Sequence, residues 1–169
     1  MRSFIFFMLI LLGLSFSKIQ AQNTDAQVTV TKVIDQSADK IWQLLRVMDD
    51  IDQYSSLVAR VEWQGNKGEG GKRVCYSPDQ KSHYTEGIIS FDDANRTYTY
   101  QVLEGVPANE MVNSFKVIDL GYQKCMIVWT SNYDSFVENP NMTETQFTAF
   151  LHKSVQELID NMVLATQKG

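Results

Sequence analysis

Cysteine, histidine and basic charge are scarce in this chain, and each shortage removes a class of protein. Two cysteines in 169 residues are too few for a disulfide scaffold and show no zinc-ligand spacing. The two histidines, His83 and His152, lie far apart and lack the further ligands that a metal site needs. Lysine and arginine number 15 against 20 aspartates and glutamates, for a net charge of −5. That balance argues against the basic stripe of a nucleic-acid binder. No P-loop, dinucleotide fingerprint or nucleophile elbow occurs. Beyond the first sixteen residues no apolar run approaches the ~20 residues of a bilayer span. Nine glycines and three prolines are ordinary, and the aromatic content of 11% excludes a disordered or low-complexity chain.

What the sequence does have is an apolar leader. It opens MRSFIFFMLILLGLSFSKIQAQ, with Arg2 as a short positive region, a run from Phe4 to Leu14, and a small-residue ending that suits cleavage after Ala21. This is the layout of a secretory signal peptide. The same segment read as an uncleaved anchor is short for a span, and no cysteine near the cleavage point supports lipid attachment. Loss of residues 1–21 removes Arg2 and Lys18 and no acid, taking the net charge from −5 to −7. The expectation is one domain over residues 22–169, exported to the periplasm or secreted, acidic, and with no stable membrane insertion after cleavage.

Along that domain the apolar period changes in an informative order. Gln27–Ile34 is β-branched and alternating, as in a strand. Ser37 is a helix cap ahead of Ile41, Trp42, Leu44, Leu45 and Met48, which predicts a helix over Ala38–Met48, and Ile51–Ser55 suggests a second short one. Strands follow at Leu57–Gly65, Lys72–Ser77, Ser82–Asp92, Arg96–Leu103, Met111–Leu120 and Lys124–Tyr133, the last two joined in a hairpin around Gly121-Tyr122. Thr143 with Gln146 forms a capping box for a helix to Ala165. Phe147, Phe150, Leu151, Val155, Leu158, Met162 and Ala165 make its apolar stripe. The fold class is α+β: a curved antiparallel sheet of about seven strands, one or two short helices after the first strand, and a long C-terminal helix against the sheet. One helix cannot fill a broad concave sheet, and the remaining space is the physical basis for a ligand cavity.

Several segments then carry a resemblance. SADKIWQLLRVMDDIDQY, GNKGEGGKRV, TEGIISFDDANRTYTYQVLEG and MIVWTSNYDSF are similar, in order and spacing, to segments of the START-like, helix-grip superfamily (SRPBCC, Bet v 1-like). The chain resembles its polyketide cyclase/dehydrase and lipid-transport group, near the branch of the MxaD-like exported proteins and the plant abscisic-acid receptors. The resemblance implies a cavity for a small hydrophobic molecule or lipid; no cofactor and no metal are expected. It leaves open whether chemistry follows.

Alternation and resemblance together nominate the lining. Glu86 shares a strand face with Tyr84, Ile88 and Ser90. A glutamate at the matching position faces the pocket in the similar hormone receptors. Buried there, it would favour its neutral form and serve as a donor or general acid/base; the competing reading is a structural carboxylate paired with an arginine or lysine, such as Arg73 on the adjacent strand. Tyr100 matches a pocket-facing aromatic position, and Tyr98 and Tyr133 are further tyrosines on the sheet. Asn113 is a lone polar residue among Met111, Phe115 and Val117 and would need a partner or ligand. Thr130 is a candidate on the last long strand, where Trp129 and Tyr133 compete for the inward face. Phe147, Leu151 and Val155 sit on the half of the helix nearest the cavity mouth in similar folds.

The loops Ser77–Ser82 and Glu104–Glu110 match those that close over ligand in the receptors, yet they read SPDQKS and EGVPANE, without the receptor signatures. The position of the receptors' carboxylate-binding lysine falls near Ala59. A neutral ligand is therefore favoured over an abscisic-acid-like one. Cys75 and Cys125 lie on strands that are not neighbours in the meander, while a disulfide needs Cα atoms within about 7 Å. Nothing supports Cys75 and His83 as a catalytic pair. Asn95 and Asn141 head glycosylation sequons that matter only in a eukaryotic source. The sequence thus supports an exported binder of a small hydrophobic or lipid-like ligand. The alternatives are a cyclase or dehydratase using Glu86, or an MxaD-like accessory to an exported oxidoreductase, which would have a protein partner.

Overall fold

A computed structural model describes residues 26–167; the expected signal segment, residues 1–21, lies outside the described residues. The elements run β1 (Val28–Ile34), α1 (Ala38–Leu45), a 3-10 turn (Asp50–Gln53), β2 (Arg60–Gln64), β3 (Lys72–Tyr76), β4 (His83–Asp92), β5 (Thr97–Glu104), β6 (Ala108–Asn109), β7 (Met111–Gly121), β8 (Lys124–Asn132), β9 (Ser135–Phe136) and α2 (Glu144–Gln167). Seven strands form one antiparallel sheet in the order β1-β8-β7-β5-β4-β3-β2. The first strand therefore pairs with the last long one, and β2 is the opposite edge. α1 and the 3-10 turn connect these two edges.

Both helix starts form as their capping residues dictate. The Ser37 hydroxyl accepts from the Lys40 amide at 3.3 Å. Thr143 and Gln146 cap reciprocally: the Thr143 amide donates to Gln146 Oε1 at 2.8 Å, and the Gln146 amide to Thr143 Oγ1 at 3.3 Å. α1 is shorter than its periodicity suggests, because Met48 turns into the left-handed region at φ 57° and presents its carbonyl to Arg73 Nη1. The hairpin between β7 and β8 turns on Tyr122 and Gln123 at φ 52° and 58°, the double positive φ of a type I′ turn, here without glycine at either position.

α2 lies against the concave face and splits the interior in two. Its C-terminal half packs closely on the core: Ile159 and Met162 are fully buried, among Ile41, Leu45 and Ile127. Polar ties hold this half in place, with Lys32 paired to Asp160, Lys40 Nζ donating to the Thr166 carbonyl at 2.9 Å and Asn161 Nδ2 to the Tyr54 carbonyl at 2.8 Å. The stripe read from sequence overlooked Ile159, and the Lys32 pair draws Asp160 toward the sheet. The N-terminal half is anchored at its first turn, where Tyr133 Oη donates to Glu144 Oε1 at 2.9 Å and Phe147 packs on Phe136 at 5.8 Å. Between these attachments α2 and the sheet stand apart.

A two-residue pairing of β6 with β9, Ala108 opposite Phe136 and Asn109 opposite Ser135, closes that end of the molecule. The sequence reading had placed β6 in a loop. Cys75 and Cys125 are both free and buried. They lie on β3 and β8, four strand spacings apart or ~19 Å along the sheet, so the disulfide weighed from sequence does not form.

Candidate functional site

The space between the sheet and the N-terminal half of α2 is a cavity of about 360 Å³, within the range of small-molecule sites. Nine of the eleven residues nominated from sequence line it. β4 contributes Tyr84 and Glu86, β5 contributes Tyr100, and β7 contributes Met111, Asn113 and Phe115. Phe147, Leu151 and Val155 of α2 form the opposite wall. The spacing of these α2 residues, four apart, puts them on one face of the helix.

Two nominated residues are not in the cavity. Ile88 is buried at 3% exposure but packs into the closed core beyond the cavity floor, so it is core rather than lining. Thr130 is turned away: β8 buries Ile127, Trp129 and Ser131 and leaves Met126, Val128 and Thr130 only half-buried on the other face. The large indole of Trp129 takes the inward position and sets the register. Ser90 was also expected on the face of Glu86. A β-bulge between Ile88 and Ser90 inserts Ile89 and reverses the alternation, so Phe91 turns inward onto Trp42, with ring centroids 5.7 Å apart, and Ser90 faces solvent.

The sequence reading did not nominate Val102, Cys75 or Met142 as lining, yet all three line the cavity. Val102 was accessible to the same argument as Tyr100, since the two alternate on β5. The nominated closing loops do border the space, through Ser77 and Ser82 on one side and Gly105, Val106 and Pro107 on the other. Exposed lining residues, among them Leu57, His83 and Phe150, mark where it meets solvent.

Glu86 satisfies both of its sequence readings together. It lines the cavity, and it stands directly opposite Arg73 in the β3–β4 register, with Arg73 Nε donating to Glu86 Oε2 at 2.5 Å. The two side chains are 5% and 1% exposed. Burial pushes the Glu86 carboxyl above its usual range, and the attraction of Arg73 pulls back against that rise. Arg73 keeps its charge: burial works against it, and Glu86 more than compensates. The guanidinium also caps the Tyr100 ring, 5.3 Å from its centroid. On the far side of Arg73 a separate void of about 20 Å³, lined by Met48, Asp50 and Tyr54, has room for about one water beside the unpartnered Arg73 Nη2.

The remaining polar groups differ in how well they are satisfied. Trp129 Nε1 donates to Tyr100 Oη at 3.1 Å. Burial raises the Tyr84 and Tyr100 hydroxyls well above their ordinary value, so both stay protonated donors. Burial, aided by the Glu86 carboxylate, pushes the Cys75 thiol up to about 12, which removes it as a nucleophile at neutral pH. Asn113 and Ser131 are 2% and 0% exposed, and neither Asn113 Oδ1 nor Ser131 Oγ has a hydrogen-bond partner among the described residues.

A family model described as polyketide cyclase/dehydrase and lipid transport matches residues 25–164. The fold recurs in solved structures of low sequence identity. The protein XoxI from Bacillus cereus superposes with a TM-score of 0.72 at 16% identity, over 82% of this chain and 93% of that one. Norcoclaurine synthase from Thalictrum flavum, solved with dopamine and hydroxybenzaldehyde, gives 0.67 at 17% identity, over 83% and 86%. The Zhui aromatase/cyclase from a Streptomyces species gives 0.63 at 18% identity, over 83% and 92%. No curated protein matches the chain by sequence.

Proposed function

The chain belongs to the polyketide cyclase/dehydrase and lipid-transport family, and from that membership we propose that it is an exported binding protein for a small, neutral, hydrophobic or lipid-like ligand. The observation that carries the proposal is the cavity of about 360 Å³ walled by aromatic and aliphatic side chains of the sheet and α2. Lysine, arginine and aspartate are missing from its described lining, and its one carboxylate, Glu86, is neutralised from behind by Arg73. Such a site gains by burying apolar surface, ~25 cal/mol per Å², and offers no lysine or arginine to a ligand acid.

Mass spectrometry of small molecules extracted from natively purified protein tests this reading directly. Stoichiometric recovery of an uncharged apolar compound is expected; empty protein that also fails to take up apolar probes would refute it. Export rests on the N-terminal segment. Sequencing the N-terminus of protein recovered from periplasm or medium should begin at Gln22, and an intact Met1 in the cytoplasm would refute it.

A catalytic reading draws on one observation, that the raised Glu86 carboxyl reaches the cavity. Arg73 engages Oε2 alone, so the second carboxyl oxygen keeps its lone pairs for proton transfer. Retention of turnover by Glu86→Gln on any substrate of the cavity would exclude this reading.

A further inference from the structure

The floor of the cavity holds a polar defect that the apolar lining does not explain. Asn113 points inward from β7 between Met111 and Phe115 and lines the cavity. It is directly opposite Ser131 on β8 in one direction and Tyr100 on β5 in the other. At 2% exposure its Oδ1 lacks a partner, and the same is true of the Oγ of its cross-strand neighbour Ser131 at 0% exposure. An unpartnered buried polar group is costly, typically ~1–3 kcal/mol. Two of them on adjacent strands concentrate that cost at one point of the wall. Valine or leucine at residue 113 would pack the same place without it. The neighbouring donor Trp129 Nε1 is already committed to Tyr100 Oη, so the sheet itself does not satisfy the amide.

We infer that the cavity selects a ligand bearing an uncharged hydroxyl, such as a phenol or alcohol, and docks that hydroxyl on the Asn113 side chain. This inference rests on the binding reading above and narrows its ligand class. A hydroxyl both donates and accepts, so it suits the amide in either orientation of its oxygen and nitrogen. It also makes the hydrogen bonds that a water molecule would make, which an apolar group does not. A carboxylate is a poorer fit, because the cavity wall offers it no lysine or arginine and Glu86 lies on the same lining.

The test uses a matched pair of probes, 2-naphthol and naphthalene, titrated by equilibrium dialysis against the full-length purified protein. The wild type should prefer 2-naphthol by about tenfold, the value of one hydrogen bond to a buried group. Asn113→Leu should abolish that preference while keeping or improving naphthalene binding. Asn113→Ala serves the same purpose should the leucine not be accommodated. Equal affinity of the wild type for both probes, or an undiminished preference in the variants, would overturn the Asn113 assignment and leave the cavity reading standing. If neither probe binds wild-type protein, the cavity reading itself falls, and this inference with it.

Discussion

Arg73 and Glu86 meet across β3 and β4 as a buried pair, Nε to Oε2 at 2.5 Å, with Arg73 also donating to the Met48 carbonyl. One guanidinium therefore ties the cavity wall to the left-handed corner that ends α1. Removing one partner of such a pair strands the other charge in the interior. Arg73→Met should cost ~3–5 kcal/mol of stability at pH 7. The double variant Arg73→Met/Glu86→Gln should recover most of it, because no bare charge remains. The Glu86 carboxyl in Arg73→Met has a folded-state pKa raised by burial. Its contribution to stability is therefore present in acid and lost as pH rises through that value. Urea unfolding at pH 5 and pH 7 should show the single variant losing less at the lower pH. An additive double variant would refute the coupling.

Tyr100→Phe deletes the acceptor for Trp129 Nε1. Both side chains are buried, at 5% and 1% exposure, so the indole N–H would be left unpaired at a cost of ~1–3 kcal/mol. The expected result is a lower urea midpoint with an unchanged m-value and a blue shift in tryptophan emission. A stability equal to wild type would show that the hydrogen bond carries no weight.

Much of this arrangement is legible in the sequence because it follows period and spacing. Strand alternation places Tyr84, Glu86, Tyr100, Met111, Asn113 and Phe115 on the concave side, and the four-residue steps of α2 place Phe147, Leu151 and Val155 opposite them. Thr130 was not decidable in this way. β8 carries apolar or β-branched residues on both of its faces, and only the bulk of Trp129 against the packed core chooses between them. Ser90 fails because one inserted residue, Ile89, reverses a face without any local signal in composition. β6 and β9 are two residues each, too short for a period, and exist only because the chain ends of the cavity meet there. The cost of Met48 at positive φ is likewise hidden, since its reason, Arg73, is 25 residues away.

Gly105 sits at φ 92° beside the cavity, where a Cβ would overlap the His83 carbonyl oxygen and come within 2.7 Å of Tyr84 Cα. Gly105→Ala should therefore destabilise by ~1–3 kcal/mol. It should also weaken apolar probe binding, since relief of the clash moves the loop of Val106 and Pro107 off the cavity. Thermal unfolding and naphthalene dialysis on the same sample check both effects. Unchanged stability would show that the loop accepts a side chain without adjustment.

Asp93 accepts from Trp42 Nε1 at 2.7 Å and from Arg46 Nε at 2.9 Å and Nη2 at 3.1 Å. These bonds, that from Trp42 first, hold its carboxyl below its ordinary value of 3.8. A depressed folded-state pKa means that the stabilisation is present above the unfolded value and is lost as pH falls through the folded one. The melting temperature of Asp93→Asn should thus lie below wild type at pH 6, with the gap narrowing as pH falls below 3.8. A gap independent of pH would assign the effect to lost geometry rather than charge.

Val155 gives the cleanest handle on occupancy. It lines the cavity from the middle of α2, where it packs at the margin of the core and is only half-buried. An indole at this position can turn into the about 360 Å³ of open space without displacing Ile159 or Met162 from the core. Val155→Trp should therefore leave the melting temperature within ~4 °C of wild type, the shift of about 1 kcal/mol in a domain of this size. The same variant should bind 2-naphthol and naphthalene at least tenfold more weakly, because the added side chain takes the volume and apolar surface that the probes would bury. Stability and binding separate here because Val155 borders the open space, whereas Ile159 and Met162 are buried in the core. Undiminished probe binding by a folded Val155→Trp protein would place the binding surface outside the cavity.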